Sequence, residues 1–186
     1  MDLYEGLLTR RSVGKVTEPG PDDAELRRLL AAAAAAPDHG LHRPWRFVVL
    51  RGAARESLGE AFADALRARR PDCDEAALAA DRAKPLRAPV LVAVISAPVP
   101  SPKAPEWEQL ASAAAAAQNL LLAAHAGGWG AMWRTGWFVD APEVRAELGL
   151  AESERCVGLV YLGTPAAAPP PRPAVDVDAL TSWRDS

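Results

Sequence analysis

The amino-acid sequence predicts an α+β domain, a three-layer α/β/α sandwich around a central mixed β-sheet, and three observations carry that reading. Alanine- and leucine-rich segments with helical apolar spacing make helix the majority state. The short apolar runs at 45–50 (WRFVVL), 90–95 (VLVAVI) and 157–162 (VGLVYL) show little polar alternation, as expected of strands covered on both faces. Their order is not a βαβα alternation. Two helical segments precede any strand and two more fall between 53 and 83, which argues against a doubly wound fold.

Along the chain, helices are expected near 2–10, 22–35, 53–69, 74–83, 105–126, 141–148 and 178–184. Pro21-Asp22-Asp23 and Asp140-Ala141-Pro142-Glu143 supply N-terminal caps for two of them. A fourth strand is expected at 129–133, entered from three glycines in four positions. The alanine run 113–117 in the helix before it offers a surface that another helix can approach closely, either in the core or from a second subunit. Proline punctuates 165–173 (PAAAPPPRP), so about 165–186 should form an extended tail along the surface or onto a neighbour.

With 186 residues, 49% hydrophobic and 24% charged, a single domain over 1–186 is expected. A formal net charge of -3 supplies no general attraction to nucleic acid or to an anionic membrane, so an anionic ligand must be met by local basic residues. The uncharged stretch 109–133 contains Gln118, Asn119 and His125 and is broken by glycines, which favours a buried helix over a membrane span. Cys73 and Cys156 fit no metal or redox spacing, and the opening MDLYEGLLTRRS has no apolar signal core; a cytoplasmic protein is expected.

Three segments are candidate site residues. The first charge after the uncharged stretch is Arg134, flanked by Trp133 and Thr135 at the end of the glycine-led strand, where a flat ring and an anion could be met together. Arg10-Arg11-Ser12 closes the first helix; two guanidiniums beside a hydroxyl can bind phosphate, or can simply complement the helix C-terminus in solvent. His39 and His42 lie in the loop APDHGLHRPW and invite a metal reading, yet no carboxylate or thiol at suitable spacing completes a shell, so a hydrogen-bonding or structural role is the alternative. No metal site is expected.

The chain resembles the nitroreductase-like, FMN-dependent oxidoreductases. The matching pieces occur in family order: LLTRRSVGKVTEPGPDDAELRRLLAAAAAAPDHG, RPWRFVVL, KPLRAPVLVAV, WEQ at 107–109, GGWGAMWRTG and VGLVYLGTP. The resemblance implies a nitroreductase-like homodimer with two FMN sites at the interface, each lined by both chains. It assigns Arg10, Arg11 and Ser12 to the FMN phosphate, ribityl chain and pyrimidine edge, His39 to the partner's side of the site, and Trp133, Arg134 and Thr135 to the isoalloxazine. It implies hydride transfer from NAD(P)H to FMN N5, then electron transfer to a nitroaromatic, quinone or related small acceptor. The flavin carries that chemistry, so no catalytic side chain is required, and Arg10 is the first choice for the charge near N1 and O2. A non-catalytic flavin-sequestering protein is the alternative.

Where the resemblance breaks, it points to particular residues. Ala35 stands where relatives carry an arginine near the flavin phosphate, leaving Arg43 or Arg172 to replace it; Leu41 and Arg43 occupy positions that are asparagine and glutamine in many members. Segment 123–128 corresponds to one proposed for nicotinamide dinucleotide contact, though its apolar character suits packing. Trp107 is expected at the cleft mouth, and Trp45 and Trp137 as core or interface fillers.

Overall fold

The computed structural model describes residues 1–184. Its helices are α1 (Leu3–Thr9), α2 (Asp23–Ala33), α3 (Ala53–Arg69), α4 (Glu75–Arg82), α5 (Glu106–Ala126) and α6 (Pro142–Glu147). Its strands are β1 (Val16–Thr17), β2 (Trp45–Leu50), β3 (Val90–Ser96), β4 (Gly130–Arg134) and β5 (Arg155–Pro165). Helix starts follow the local chemistry: the carboxylates of Asp2, Asp22 and Asp74 accept from the backbone N–H of Glu5, Glu25 and Ala77, each at 2.8 Å.

Strands run in the order β2-β3-β5-β4, with β1 pairing the far end of β5 at Val16–Pro165 and Thr17–Thr164. Every described ladder is antiparallel, which corrects the expectation of a mixed sheet. An unbroken apolar run reports burial on both faces and says nothing about strand direction. Alternate residues of β3 separate the two faces. Leu91, Ala93 and Ile95 pack with Leu58, Phe62 and Ala65 of α3 and Val144 of α6, whereas Val90, Val92 and Val94 pack with Leu26 and Leu29 of α2 and Ala117, Leu120 and Ala124 of α5. The three layers are therefore α3/α6, sheet, and α2/α5.

One further expectation is corrected, and one strand is present that was not expected. In place of a helix at 178–184 there is one 3-10 turn, Asp178–Leu180, because that segment buries no side chain that could hold a helix in register. β1 was not expected from its sequence: two residues carry no periodicity, and the strand exists only because β5 extends to Pro165 and supplies a partner edge. The last two positions of the proline-rich tail lie outside the described residues. No helix among the described residues is long and apolar enough to cross a membrane.

Candidate functional site

Residues 10–17 leave α1 and run beside β4, where Val13 donates its N–H to the carbonyl of Ala131 at 2.9 Å. Gly130 makes this approach possible: a Cβ there would stand 2.6 Å from Val16 Cγ1. Thr9 Oγ1 lies 3.0 Å from His125 Nε2, tying the end of α1 to the last turn of α5. The Arg10-Arg11-Ser12 segment is thereby fixed next to the strand that ends in Trp133 and Arg134. A Cβ at Gly14 would touch Met132 Sδ at 3.5 Å and Arg134 Nη2 at 4.0 Å, so the two segments lie side by side.

Positive charge accumulates along these segments without matching carboxylates. Arg10 is half-buried; its burial, then the neighbouring Arg172 and Arg11 guanidiniums, push it below its ordinary pKa. None of the three makes an ion pair among the described residues, and Arg172 donates only a long 3.4 Å contact to the carbonyl of Leu7. Of the two expected substitutes for the arginine missing at Ala35, it is Arg172 that stands beside Arg10. Arg43 sits in the histidine loop, its backbone N–H bonded to Asp38 at 2.8 Å.

Farther along, a cleft of about 310 Å³ opens at the end of β4, lined by Met132, Trp133, Arg134, Thr135, Lys84, Arg87, Phe138 and Tyr161. The two neighbours on β4 are held differently. Trp133 packs toward the α2/α5 face and donates Nε1 to the carbonyl of Val157 at 3.2 Å. It lies across Gly158, where a Cβ would come within 2.1 Å of its Nε1. Arg134 turns to the other face, its guanidinium 5.2 Å from the centroid of Tyr161, and its buried Nε has no hydrogen-bond partner. Burial pushes the Tyr161 phenol up to about 12 against the pull of Arg134 and Arg87, so it stays a neutral donor. β4 pairs with β5 as far as Arg134, and no backbone hydrogen bond among the described residues uses the N–H of Thr135 or Gly136.

The structure runs the segment that follows Arg10, Arg11 and Ser12 beside β4 and puts Trp133, Arg134 and Thr135 in the lining of one cleft, but leaves His39 elsewhere. His39 Nδ1 is 3.0 Å from Glu108 Oε2 on the first turn of α5, while Arg10 lies by its last turn; the seventeen residues from Glu108 to His125 span roughly 25 Å of helix. His42 has its own partner, Ser101 Oγ at 3.1 Å, so the two histidines diverge. Among the described residues no group of three His, Cys, Asp or Glu side chains could hold a metal ion. Segment 123–128 closes α5, with Ala124 fully buried against the sheet.

Lys84, Arg87, Phe138 and Tyr161 were not expected in the site. KPLRAP and VGLVYL read locally as a strand lead-in and a core strand; the one available signal was a tyrosine in an otherwise aliphatic run, an aromatic whose hydroxyl needs a polar outlet.

Comparison with known proteins identifies the family. Residues 7–164 match the model of the nitroreductase family. The chain is 37% identical over 165 residues, 89% of each protein, to the Escherichia coli K12 protein named "Putative NAD(P)H nitroreductase YdjA". Among solved structures, a nitroreductase-like family protein from Bacillus cereus superimposes with a TM-score of 0.84 at 25% identity, covering 100% of this chain and 97% of that one. A Bacteroides fragilis nitroreductase with bound FMN superimposes with a TM-score of 0.76 at 27% identity, covering 99% and 100%.

Proposed function

Because this chain belongs to the nitroreductase family, we propose that it is an FMN-dependent NAD(P)H oxidoreductase acting on a nitroaromatic, a quinone or a related small acceptor. The observation that carries the reading is the set of guanidiniums without carboxylate partners on the two neighbouring segments, clustered at Arg10, Arg11 and Arg172 and again at Arg134. A phosphate at one end of a ligand and a flat, carbonyl-bearing ring at the other would use both clusters.

In this reading Arg10, Arg11 and Ser12 meet the phosphate, ribityl chain and pyrimidine edge, with Arg10 supplying the charge near N1 and O2 and Arg172 joining at the phosphate, and Trp133, Arg134 and Thr135 line the ring. The chemistry FMN supplies when bound is acceptance of a hydride from NAD(P)H followed by delivery of electrons to the acceptor. The protein's share is binding and electrostatics. The buried Arg134 Nε, the Tyr161 hydroxyl and the free N–H groups of Thr135 and Gly136 are donors already oriented before a ligand arrives, and preorganised donors in a partly dry site cost no reorganisation during reaction. No protein nucleophile or general base is needed, so the catalytic residue set is empty.

The reading extends to a homodimer. Arg10 and His39 lie near opposite ends of α5 in one chain, so a shared site requires His39 to come from a second copy. Leu3, Tyr4 and Leu8 of α1 are 76%, 73% and 56% exposed, and Trp107 on α5 is 69% exposed, an apolar surface suited to such a partner. The free thiols Cys73 and Cys156 and the use of NAD(P)H both suit a cytoplasmic location.

The test is an absorbance spectrum of purified protein after incubation with excess FMN and desalting, followed by anaerobic NADPH and then NADH. Retained flavin bands that bleach with either nucleotide support the reading. Retained flavin that neither nucleotide reduces would favour the flavin-sequestering alternative, and protein emerging without flavin would overturn both.

A further inference from the structure

Just after β4 the chain presents two neighbouring aromatic rings to two different cavities. Phe138 lines the cleft at the end of β4. Trp137 lines a second cavity of about 370 Å³ between the end of α3 and the start of α6, together with Arg69, Asp140 and Glu143. Gly136 makes the turn into this pair at φ 148°, and a Cβ there would stand 2.8 Å from Phe138 Cε1. The two rings meet edge to face with centroids 6.3 Å apart, and Phe62 backs Phe138 from the core at 4.6 Å, so the cavities flank one anchored aromatic pair. Trp137 is nonetheless 37% exposed, with the Arg69 guanidinium 4.8 Å from its ring centroid. Within Arg67-Ala68-Arg69-Arg70, Arg67 is bound to Asp64 at 2.5 Å and Arg69 alone lines the cavity. Arg69, Asp140 and Glu143 have no ion-pair partner among the described residues. An open indole, a guanidinium against it and two carboxylates at the same cavity suit a ligand with a flat base, an anionic group and hydroxyls.

We propose that this cavity takes the adenosine end of the nicotinamide dinucleotide while the nicotinamide enters the neighbouring cleft, and that Asp140 and Glu143 make NADH the preferred donor over NADPH. The inference rests on the flavin reading. The purine stacks against Trp137 and Arg69, an interaction that treats both dinucleotides alike, and the edge of the Arg69 guanidinium meets the pyrophosphate. The carboxylates separate the two donors. They accept hydrogen bonds from the ribose hydroxyls of NADH, whereas the additional 2′-phosphate of NADPH meets two like charges. Ala65 and Ala141 place the cavity in the α3/α6 layer, on the opposite face of the sheet from segment 123–128, whose Ala123 and Ala124 pack in the α2/α5 layer.

The experiment has two readouts on FMN-loaded wild type, Trp137→Leu, Trp137→Phe and the double variant Asp140→Asn with Glu143→Gln. Calorimetry measures binding of ADP-ribose and of its 2′-phosphorylated form, which carry the adenosine end without the nicotinamide. Anaerobic flavin reduction gives kcat/KM for NADH, NADPH and reduced nicotinamide mononucleotide, which lacks adenosine. Wild type is expected to favour NADH about tenfold or more, and ADP-ribose over its 2′-phosphate by a similar factor. Trp137→Leu should weaken ADP-ribose binding about tenfold and lower the ratio of kcat/KM for NADH to that for the mononucleotide by the same factor, with Trp137→Phe retaining most of both. The carboxylate variant should bring NADH and NADPH close to parity. ADP-ribose binding that is absent, or indifferent to Trp137, would overturn the inference while leaving FMN as the cofactor. So would equal use of NADH and NADPH by wild type, or an equal loss with NADH and with the mononucleotide in Trp137→Leu, the mark of a purely structural ring. Failure of wild type to take up FMN would overturn the flavin reading and this inference with it. Should the double variant not fold, Asp140→Asn alone decides the preference.

Discussion

Two arginine-rich corners of this molecule have opposite electrostatic character. At the start of β2, Arg46 binds through one edge of its guanidinium: Nε and Nη2 donate to the two oxygens of Glu154, each at 2.7 Å, and Nη2 also reaches the carbonyl of Gly149 at 2.7 Å. Arg145 adds bonds to the carbonyls of Glu154 and Ala151, closing the loop before β5. The hydrogen bonds that Arg46 donates to Glu154 raise the Arg46 pKa and hold the Glu154 carboxyl below its ordinary value. Beside β4 the shift has the reverse sign, Arg10 being lowered by burial and by Arg172 and Arg11, and Arg134 keeps a buried donor unused. A guanidinium forked onto a carboxylate holds the fold together. One that is half-buried among other cations destabilises the empty protein and makes sense when an anion completes it.

The sharpest way to break this comparison is Arg10→Ala. Loss of a charge-assisted contact worth about 1.5–3 kcal/mol should weaken FMN binding roughly ten- to hundred-fold in a fluorescence titration, with the melting temperature unchanged or higher. Unchanged FMN affinity would take Arg10 out of the site. Next in size, Gly158→Ala places a methyl against the Trp133 indole and should cost about 1–3 kcal/mol in chemical denaturation, with a changed tryptophan emission because that ring must move. An unaltered spectrum would mean that Trp133 is not held by this contact.

The structural corner should answer in the opposite currency. Glu154→Gln is expected to cost about 1 kcal/mol of stability at pH 7, discounted because the Arg46 side chain is 35% exposed, and to leave FMN affinity alone. Since the folded pKa of Glu154 is lowered, its contribution is complete above the unfolded carboxylate value of roughly 4.3 and is lost as pH falls through the folded one. Denaturation curves of wild type and variant should therefore converge on acidification below about pH 4. The smallest stability effect is expected for Arg134→Met, within about 0.5 kcal/mol of wild type or stabilising, because the substitution removes a buried unsatisfied donor while retaining the apolar stem. FMN affinity should still fall in that variant; a large loss of stability with intact binding would place Arg134 with Arg46 as a structural residue.

The elements that the amino-acid sequence determines by itself are those whose signal is local. Capped helices such as α2 and α4 and the apolar strands β2 and β3 have their burial or their caps encoded within one turn or one run of residues. Arg134 was also visible as a candidate, since a charge that ends an uncharged stretch can be read in one dimension. Strand direction was not, because a run buried on both faces looks the same in parallel and antiparallel sheets. Nor was the short β1, which depends on an edge offered by β5. The membership of the cleft was likewise decided in three dimensions: Lys84 and Tyr161 are separated by most of the second half of the chain and meet because β3 pairs with β5, and Arg172 joins Arg10 because the tail returns to α1. Side chains drawn from distant segments acquire a common electrostatic environment only when packing removes the solvent that would otherwise screen them, and for that reason the fold, rather than the order of residues, composed this site.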